Sequence, residues 1–218
     1  MTSTAEDLAV LLLDPHTGRR LVDGTAFDRA LAGATLLDLA LAGALTPDGT
    51  GAKARLIPSG PAPADPLLEA ALARITPGPY KAQRAVERLA RGSWKQVIER
   101  LEIHGAVERT SGRVLGIFPT TTWTLTDRSR RPALLADVAN ALQGRAAPDQ
   151  RTACLISLLH AVKAVHKLVD GPKKELRARA KEISRSDFAG PAVRKAVEAV
   201  QAAAVATIVA VNATVSGS

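Results

Sequence analysis

Asp28, Thr35 and Asp38 recur at helical spacing within TAFDRALAGATLLDLALAGAL, residues 25–45. Two carboxylates near one another could act as a general acid and base. The surrounding stretch is apolar almost all round, so the three also read as a narrow polar edge on a buried helix, an exposed stripe that needs no chemistry. The histidines are His16, His104, His160 and His166, and the last two fall six apart on one predicted helix. That spacing puts them on different faces, a poor arrangement for a shared metal ion. No GxGxxG follows a strand, and neither a P-loop nor a GxSxG elbow occurs. A binding protein is expected, not an enzyme, with no catalytic residue, no metal ligand and no cofactor.

The stretch RVLGIFPTTTWTL, residues 113–125, carries the strongest binding signal. A half-buried strand shows one apolar face, yet Val114, Leu115, Ile117 and Phe118 put large side chains on both faces just past the Ser111-Gly112 turn. The second face needs a partner: the chain's own core, a second subunit, or a bilayer. Fully burying such side chains is worth about 1.5–3 kcal/mol each, and partial insertion at an interface would retain roughly 3–6 kcal/mol for the set. Each nearby Arg or Lys adds about 1 kcal/mol at an anionic surface. One hairpin then binds weakly, and hairpins joined in a homo-oligomer bind far better.

The same segment supports an alternative. Helix, Gly105, strand, turn and returning strand form a winged-helix-like pattern, whose wing brings basic residues such as Arg109 and Arg113 to nucleic-acid phosphates. A wing against nucleic acid should be polar, whereas this one is greasy, and Glu99 and Glu102 on the preceding helix would repel phosphate. Nucleic acid is the less favoured partner on these grounds.

Net charge is +8, and residues 128–195 hold 15 Lys and Arg against 6 Asp and Glu, so the basic surface belongs to the C-terminal third. Such a surface predicts an anionic partner. Lys173, Arg177, Lys181 and Arg185 repeat every four residues as one stripe, which also reads as a solvated face balanced by Glu175 and Glu182. The single cysteine, Cys154, cannot form an internal bridge and fits a reducing compartment. MTSTAEDLAVLLLDPH has an acidic lead-in and a short apolar run, unlike a secretory signal. The last 20 residues are uncharged but weakly hydrophobic, which suits a buried core helix better than a membrane span. A cytoplasmic protein, peripheral to the inner face of the membrane, is the expectation.

These residues must be positioned by helices. Aromatic content is 3%, so the core is built from Ala, Leu, Val and Ile, which suits close-packed helices. Ser3 and Glu6 form a capping-box pattern ahead of LAVLLL; a short strand follows in GRRLVD; residues 25–45 make the central helix. LTPDGTGAKARLIP reads as a hairpin around Asp48-Gly49, and Asp65-Pro66 opens another helix. Helices are then expected over about 80–91, over SWKQVIERLEIHG (residues 93–105), and over 131–143, 150–169 and 191–213, with the hairpin at about 106–125. LLDLALAGALTPDG and VIERLEIHGAVERTSG share one order: helix, glycine, apolar strand, polar turn. The expected fold is mainly α: a single globular helical domain, residues 1–218, around a buried apolar central helix, with short β-hairpins, one of them projecting.

EDLAVLLLD, ALAGATLLDLALAGAL, DPLLEAALARI, VIERLEIHGAVER with its hairpin, TACLISLLHAVKAVHKLV and the apolar C-terminal helix occur in that order. Together they resemble the Golgi phosphoprotein three family, phosphatidylinositol 4-phosphate-binding adaptors of the Golgi that also have bacterial relatives. The Ala, Leu and Arg bias fits a GC-rich bacterial genome, so a bacterial member is expected. The resemblance implies a non-catalytic helical domain with a projecting hairpin, here about Glu108 to Leu125, used in membrane contact and self-association.

Eukaryotic members hold the headgroup with a tryptophan in the loop before the central helix and several arginines. Here that loop is RLVDGTAF, one family arginine falls on Ala32, and two others fall near Arg91 and Trp94. Arg91 keeps its charge, with Lys95 adjacent and Arg29 one turn before Gly33. The implied headgroup or anion-binding set is Arg29, Arg91, Lys95 and Arg113; the membrane or oligomer set is Val114, Leu115, Ile117 and Phe118. The implied function is a peripheral membrane-binding adaptor for acidic lipid, phosphatidylinositol 4-phosphate included, that forms a homo-oligomer through its hairpin.

Overall fold

Ser3 opens helix α1 (Thr4–Leu12) with the expected reciprocal cap: its hydroxyl accepts the Glu6 amide at 3.2 Å and its own amide donates to Glu6 Oε2 at 2.8 Å. The computed structural model describes residues 3–49, 51–76, 78–114, 118–185, 198–200, 202–203 and 206; for Ala52, 112–114 and 118–120 it describes the backbone alone. Every residue of α1 is buried, Glu6 and Asp7 included. Buried acids need partners, and arginines from later helices supply them.

Helix α2 (Gly24–Leu41) is the buried central helix that its composition predicts. Asp23 caps it by accepting the amides of Thr25 and Ala26, and Phe27, Leu31, Leu36, Leu37 and Leu39 are fully buried along it. The helix stops at Gly43 (φ +73°), where the Gly43 amide donates to Ala40 O and the Ala44 amide to Leu39 O, a Schellman closure.

The chain then enters strand β1 (Leu45–Asp48), which pairs antiparallel with β2 (Arg55–Pro58). A two-residue turn at Asp48-Gly49 does not form; a 3₁₀ turn (Gly51–Lys53) lies within a longer connection. Strand β3 (Tyr80–Lys81) adds to β2 through Leu56↔Tyr80 and Arg55↔Lys81. Those residues were expected to start a helix, and tertiary pairing overrides that local preference. Asp65 caps α3 (Pro66–Ile75), accepting the amides of Leu67 and Leu68, with Pro66 in the first helical turn as expected.

Helices α4 (Ala82–Ala90) and α5 (Ser93–Ile103) meet at an elbow where Gly92 takes φ +84°. α5 ends as α2 does: Gly105 donates to Glu102 O, Ala106 donates to Leu101 O, and a strand follows. The shared helix–glycine–strand order seen in the sequence is thus one corner geometry used twice. Strands β4 (Val107–Val114) and β5 (Phe118–Leu125) pair antiparallel from Val107↔Leu125 to Val114↔Phe118.

Helix α6 (Arg130–Leu142) lies as predicted. The continuous helix expected over 150–169 is instead α7 (Gln150–Ala161) and a short α8 (Val165–Leu168). Lys163 breaks it with φ +58°, while Lys163 donates to His160 O and Ala164 to Leu159 O. Burial of both Leu159 and Ala164 anchors this corner without glycine. α9 (Lys173–Ile183) buries Leu176, Ala180 and Ile183 and leaves Lys173, Arg177 and Lys181 exposed. The expected helix over 191–213 lies largely outside the described residues; within it Ala199, Val200 and Ala203 are fully buried.

Candidate anion-binding groove

The polar edge of α2 is not an exposed stripe. Thr35 is only 6% exposed and donates to Leu31 O at 3.0 Å. Asp38 accepts from Thr4 at the start of α1, and Asp28 faces the Trp94 amide at the start of α5. Each carboxylate meets the positive end of a different helix, so they form no acid–base pair. Burial raises the Asp28 carboxyl above the usual range, against the pull of Arg20 and the Trp94 amide.

Arg29, one residue on, points elsewhere on the same surface. It lines a cavity of about 310 Å³ with Thr25, Asp28, Glu87, Ala90 and Arg91. The α4–α5 elbow at Gly92 delivers Arg91 to this wall. Arg29 Nη1 and Asp28 Oδ1 are buried without a hydrogen-bond partner among the described residues. The cavity therefore offers a guanidinium nitrogen that solvent reaches poorly and protein does not satisfy, a donor suited to an anionic oxygen.

Beside it, Arg20 stacks over Trp94 at 4.8 Å and over Phe27 at 5.3 Å from the ring centroids. Phe27 and Trp94 meet edge to face at 5.2 Å, Trp94 and Trp123 do so at 6.4 Å, and Arg109 lies over Trp123 at 5.6 Å. A cavity of about 470 Å³ opens among Arg19, Arg20, Trp94, Thr122 and Trp123. Gly18 makes this packing possible: its φ is +64°, and a Cβ there would lie 2.3 Å from Trp123 O.

Trp123 stands opposite Arg109 and reaches Trp94 in the first turn of α5, so the hairpin runs back along the helix that precedes it. Five of its eight residue pairs lie beyond that contact, a length of roughly 17 Å at strand rise. They extend from the end of α5 at which Arg20, Arg29 and Arg91 gather.

Of the sequence-derived residues, Arg29 and Arg91 share one cavity. Lys95 does not line it; its side chain is 78% exposed and lies 3.8 Å from Glu99. Arg113 pairs with Pro119 and Val114 with Phe118 through the backbone. The side chains of Arg113, Val114 and Phe118, and all of Leu115 and Ile117, lie outside the described residues. Arg20, Trp94 and Trp123 are members that sequence reasoning missed, although the Arg19-Arg20 pair ahead of the central helix and the scarcity of tryptophan were available signals.

Among the described residues no cluster of three or more His, Cys, Asp or Glu could hold a metal ion. Burial pushes the Cys154 thiol up to about 12, which makes it a poor nucleophile. No helix among the described residues is long and apolar enough to cross a membrane.

The described residues form a helical domain with an aromatic-braced hairpin and an arginine-lined groove. The sequence profile of Golgi phosphoprotein 3 (GPP34) matches residues 5–200, and the chain belongs to that family. It is a non-enzymatic adaptor family associated with phosphoinositide binding and with Golgi membranes. No curated protein matches the chain.

Proposed function

We propose that the chain is a peripheral membrane adaptor that contacts acidic lipid or phosphoinositide headgroups through Arg29, Arg91 and neighbouring basic residues, and the apolar bilayer boundary or a sister subunit through Val114, Leu115, Ile117 and Phe118. It acts at the cytoplasmic face of the membrane and self-associates through the hairpin. One observation carries the reading: the Trp94–Trp123 contact anchors the hairpin so that its outer pairs extend from the same end of α5 as the Arg29–Arg91 cavity. A basic groove and an apolar hairpin together are what an acidic bilayer rewards, since each nearby cation adds about 1 kcal/mol and each inserted side chain about 0.75–1.5 kcal/mol at half burial.

Co-sedimentation with neutral, generic anionic and phosphatidylinositol 4-phosphate-bearing vesicles tests this. Wild type pellets with the acidic vesicles. Leu115→Asp/Phe118→Asp and Arg29→Ala/Arg91→Ala each reduce pelleting. Equal pelleting of wild type and the hairpin variant removes the hairpin from the mechanism, and no pelleting on any acidic vesicle overturns the function.

A further inference from the structure

Helices α3 and α4 end on each other's arginines. Arg74, in the last turn of α3, donates to Leu89 O at 3.4 Å, to Arg91 O at 3.1 Å and to Arg88 O. Arg88, in the last turn of α4, returns the contact from Nε to Arg74 O at 2.5 Å, and its guanidinium lies 5.3 Å from the Tyr80 ring centroid. Cations suit carbonyls at helix C-termini, so this clasp joins the helices. It also sets two guanidinium groups close together, and among the described residues neither has a carboxylate within ion-pair distance. Burial, then the Arg88 charge, holds Arg74 below the usual guanidinium range.

The clasp explains Arg74 and the Nε of Arg88, but no more. Arg84, one turn before Arg88, and Arg91 complete the wall of a cavity of about 470 Å³, in which Glu87 is the acid present. Arg84, Glu87, Arg88 and Arg91 are solvent-exposed. The guanidinium forks of Arg84 and Arg91 and the Nη groups of Arg88 have no acceptor among the described residues. Several planar forks around one cavity match an anion with three or more acceptor oxygens better than they match a single carboxylate.

We infer that this cavity is a second anion site, for a phosphate group, formed by Arg84, Arg88 and Arg91 and held in shape by Arg74. It is distinct from the Arg29 cavity, although Arg91 borders both. The phosphate belongs either to a soluble molecule or to a lipid headgroup, since the donors read the phosphate itself.

The titration that decides the inference uses the full chain and no membrane, so its outcome is independent of the vesicle experiment above; vesicles enter only to identify the source of the phosphate. Tyr80 is the chain's single tyrosine and lies beneath Arg88, so 3-fluorotyrosine labelling gives one fluorine signal at the site. Titrating pyrophosphate at low ionic strength should shift that signal saturably. Arg84→Ala, an exposed change away from the clasp, should weaken the response roughly ten-fold, the loss of one charge-assisted partner. Arg29→Ala should leave it within about two-fold, as expected for a separate site. Absence of a saturable shift, or a response lost in Arg29→Ala and unchanged in Arg84→Ala, overturns the inference. Displacement of pyrophosphate by phosphatidylinositol 4-phosphate vesicles supports a lipid source; displacement by soluble glycerophosphoinositol 4-phosphate alone supports a soluble one.

Discussion

Asp38, in the last turn of α2, accepts both the amide and the hydroxyl of Thr4, at 2.9 and 2.5 Å, and so closes the first turn of α1 from inside the molecule. Burial drives the Asp38 carboxyl up to about 6, despite the opposing hydrogen bonds from Thr4. The folded state thus holds the proton more tightly than the unfolded chain does. The contribution of Asp38 to stability is full below about pH 4, the ordinary carboxylate range, and is lost as pH rises through about 6. Asp38→Asn keeps an acceptor for the amide and should flatten the stability profile between those values. Asp38→Ala strands two donors and should cost about 1–3 kcal/mol throughout. Denaturant unfolding at pH 4.5 and 7.5 separates the two.

Glu6 predicts the opposite sign. Burial alone would raise its carboxyl, but the Ser3 amide, Arg100 and His104 together hold it below the usual range. Arg100 Nε lies 3.4 Å from Glu6, which is fully buried, and Arg100 Nη1 lies 2.5 Å from Asp65. Stability from Glu6 is present above its ordinary range and is lost on acidification through the lowered value. Arg100→Met leaves that acid without its main partner and should destabilise by about 3–5 kcal/mol at neutral pH. Adding Glu6→Gln should recover part of the loss in a double-mutant cycle.

Gly18→Ala should loosen the hairpin. The residue is both left-handed and in backbone contact with Trp123, so alanine must displace one chain or the other, at a cost of about 1–3 kcal/mol. Hydrogen exchange over 121–125 should accelerate, and vesicle binding should weaken even though Gly18 carries no charge or grease. Unchanged exchange would show that the dock at Trp123 is dispensable.

Lys163→Gly should stabilise the chain. A lysine occupies the left-handed position of the α7 corner, where glycine is free of Cβ strain, and a gain of about 0.5–1 kcal/mol is expected. Thermal unfolding reads this directly.

Arg91→Ala should weaken acidic-vesicle binding more than Lys95→Ala. Arg91 borders two cavities, whereas Lys95 is held by Glu99 on open surface. Co-sedimentation against vesicles of graded acidic content ranks the two, and equal losses would mean that only the summed charge is read.

Local signals were legible where side chain and backbone act within a few residues. The Ser3–Glu6 cap, the Asp65-Pro66 start and the glycine corners at Gly43 and Gly105 are of this kind. Lys163 was not, because its corner is chosen by burial of Leu159 and Ala164 rather than by a glycine. Periodicity located the polar edge of α2 but could not say what covers it, so two tertiary helix caps read as an exposed stripe. Much of the basic groove stayed hidden for a similar reason. The family resemblance reaches Arg29 and Arg91, but Arg20 precedes α2, Arg74 ends α3 and Arg84 and Arg88 sit on α4 beside Glu87, and a segmental charge count pointed instead to the C-terminal third.

The buried acids of α1 also bear on how the chain is made. Asp7 finds Arg130 only after 123 intervening steps of sequence, and Arg151 later still. The acids embedded in α1 are therefore sealed only by contacts between segments far apart in sequence. Such long-range closure slows folding.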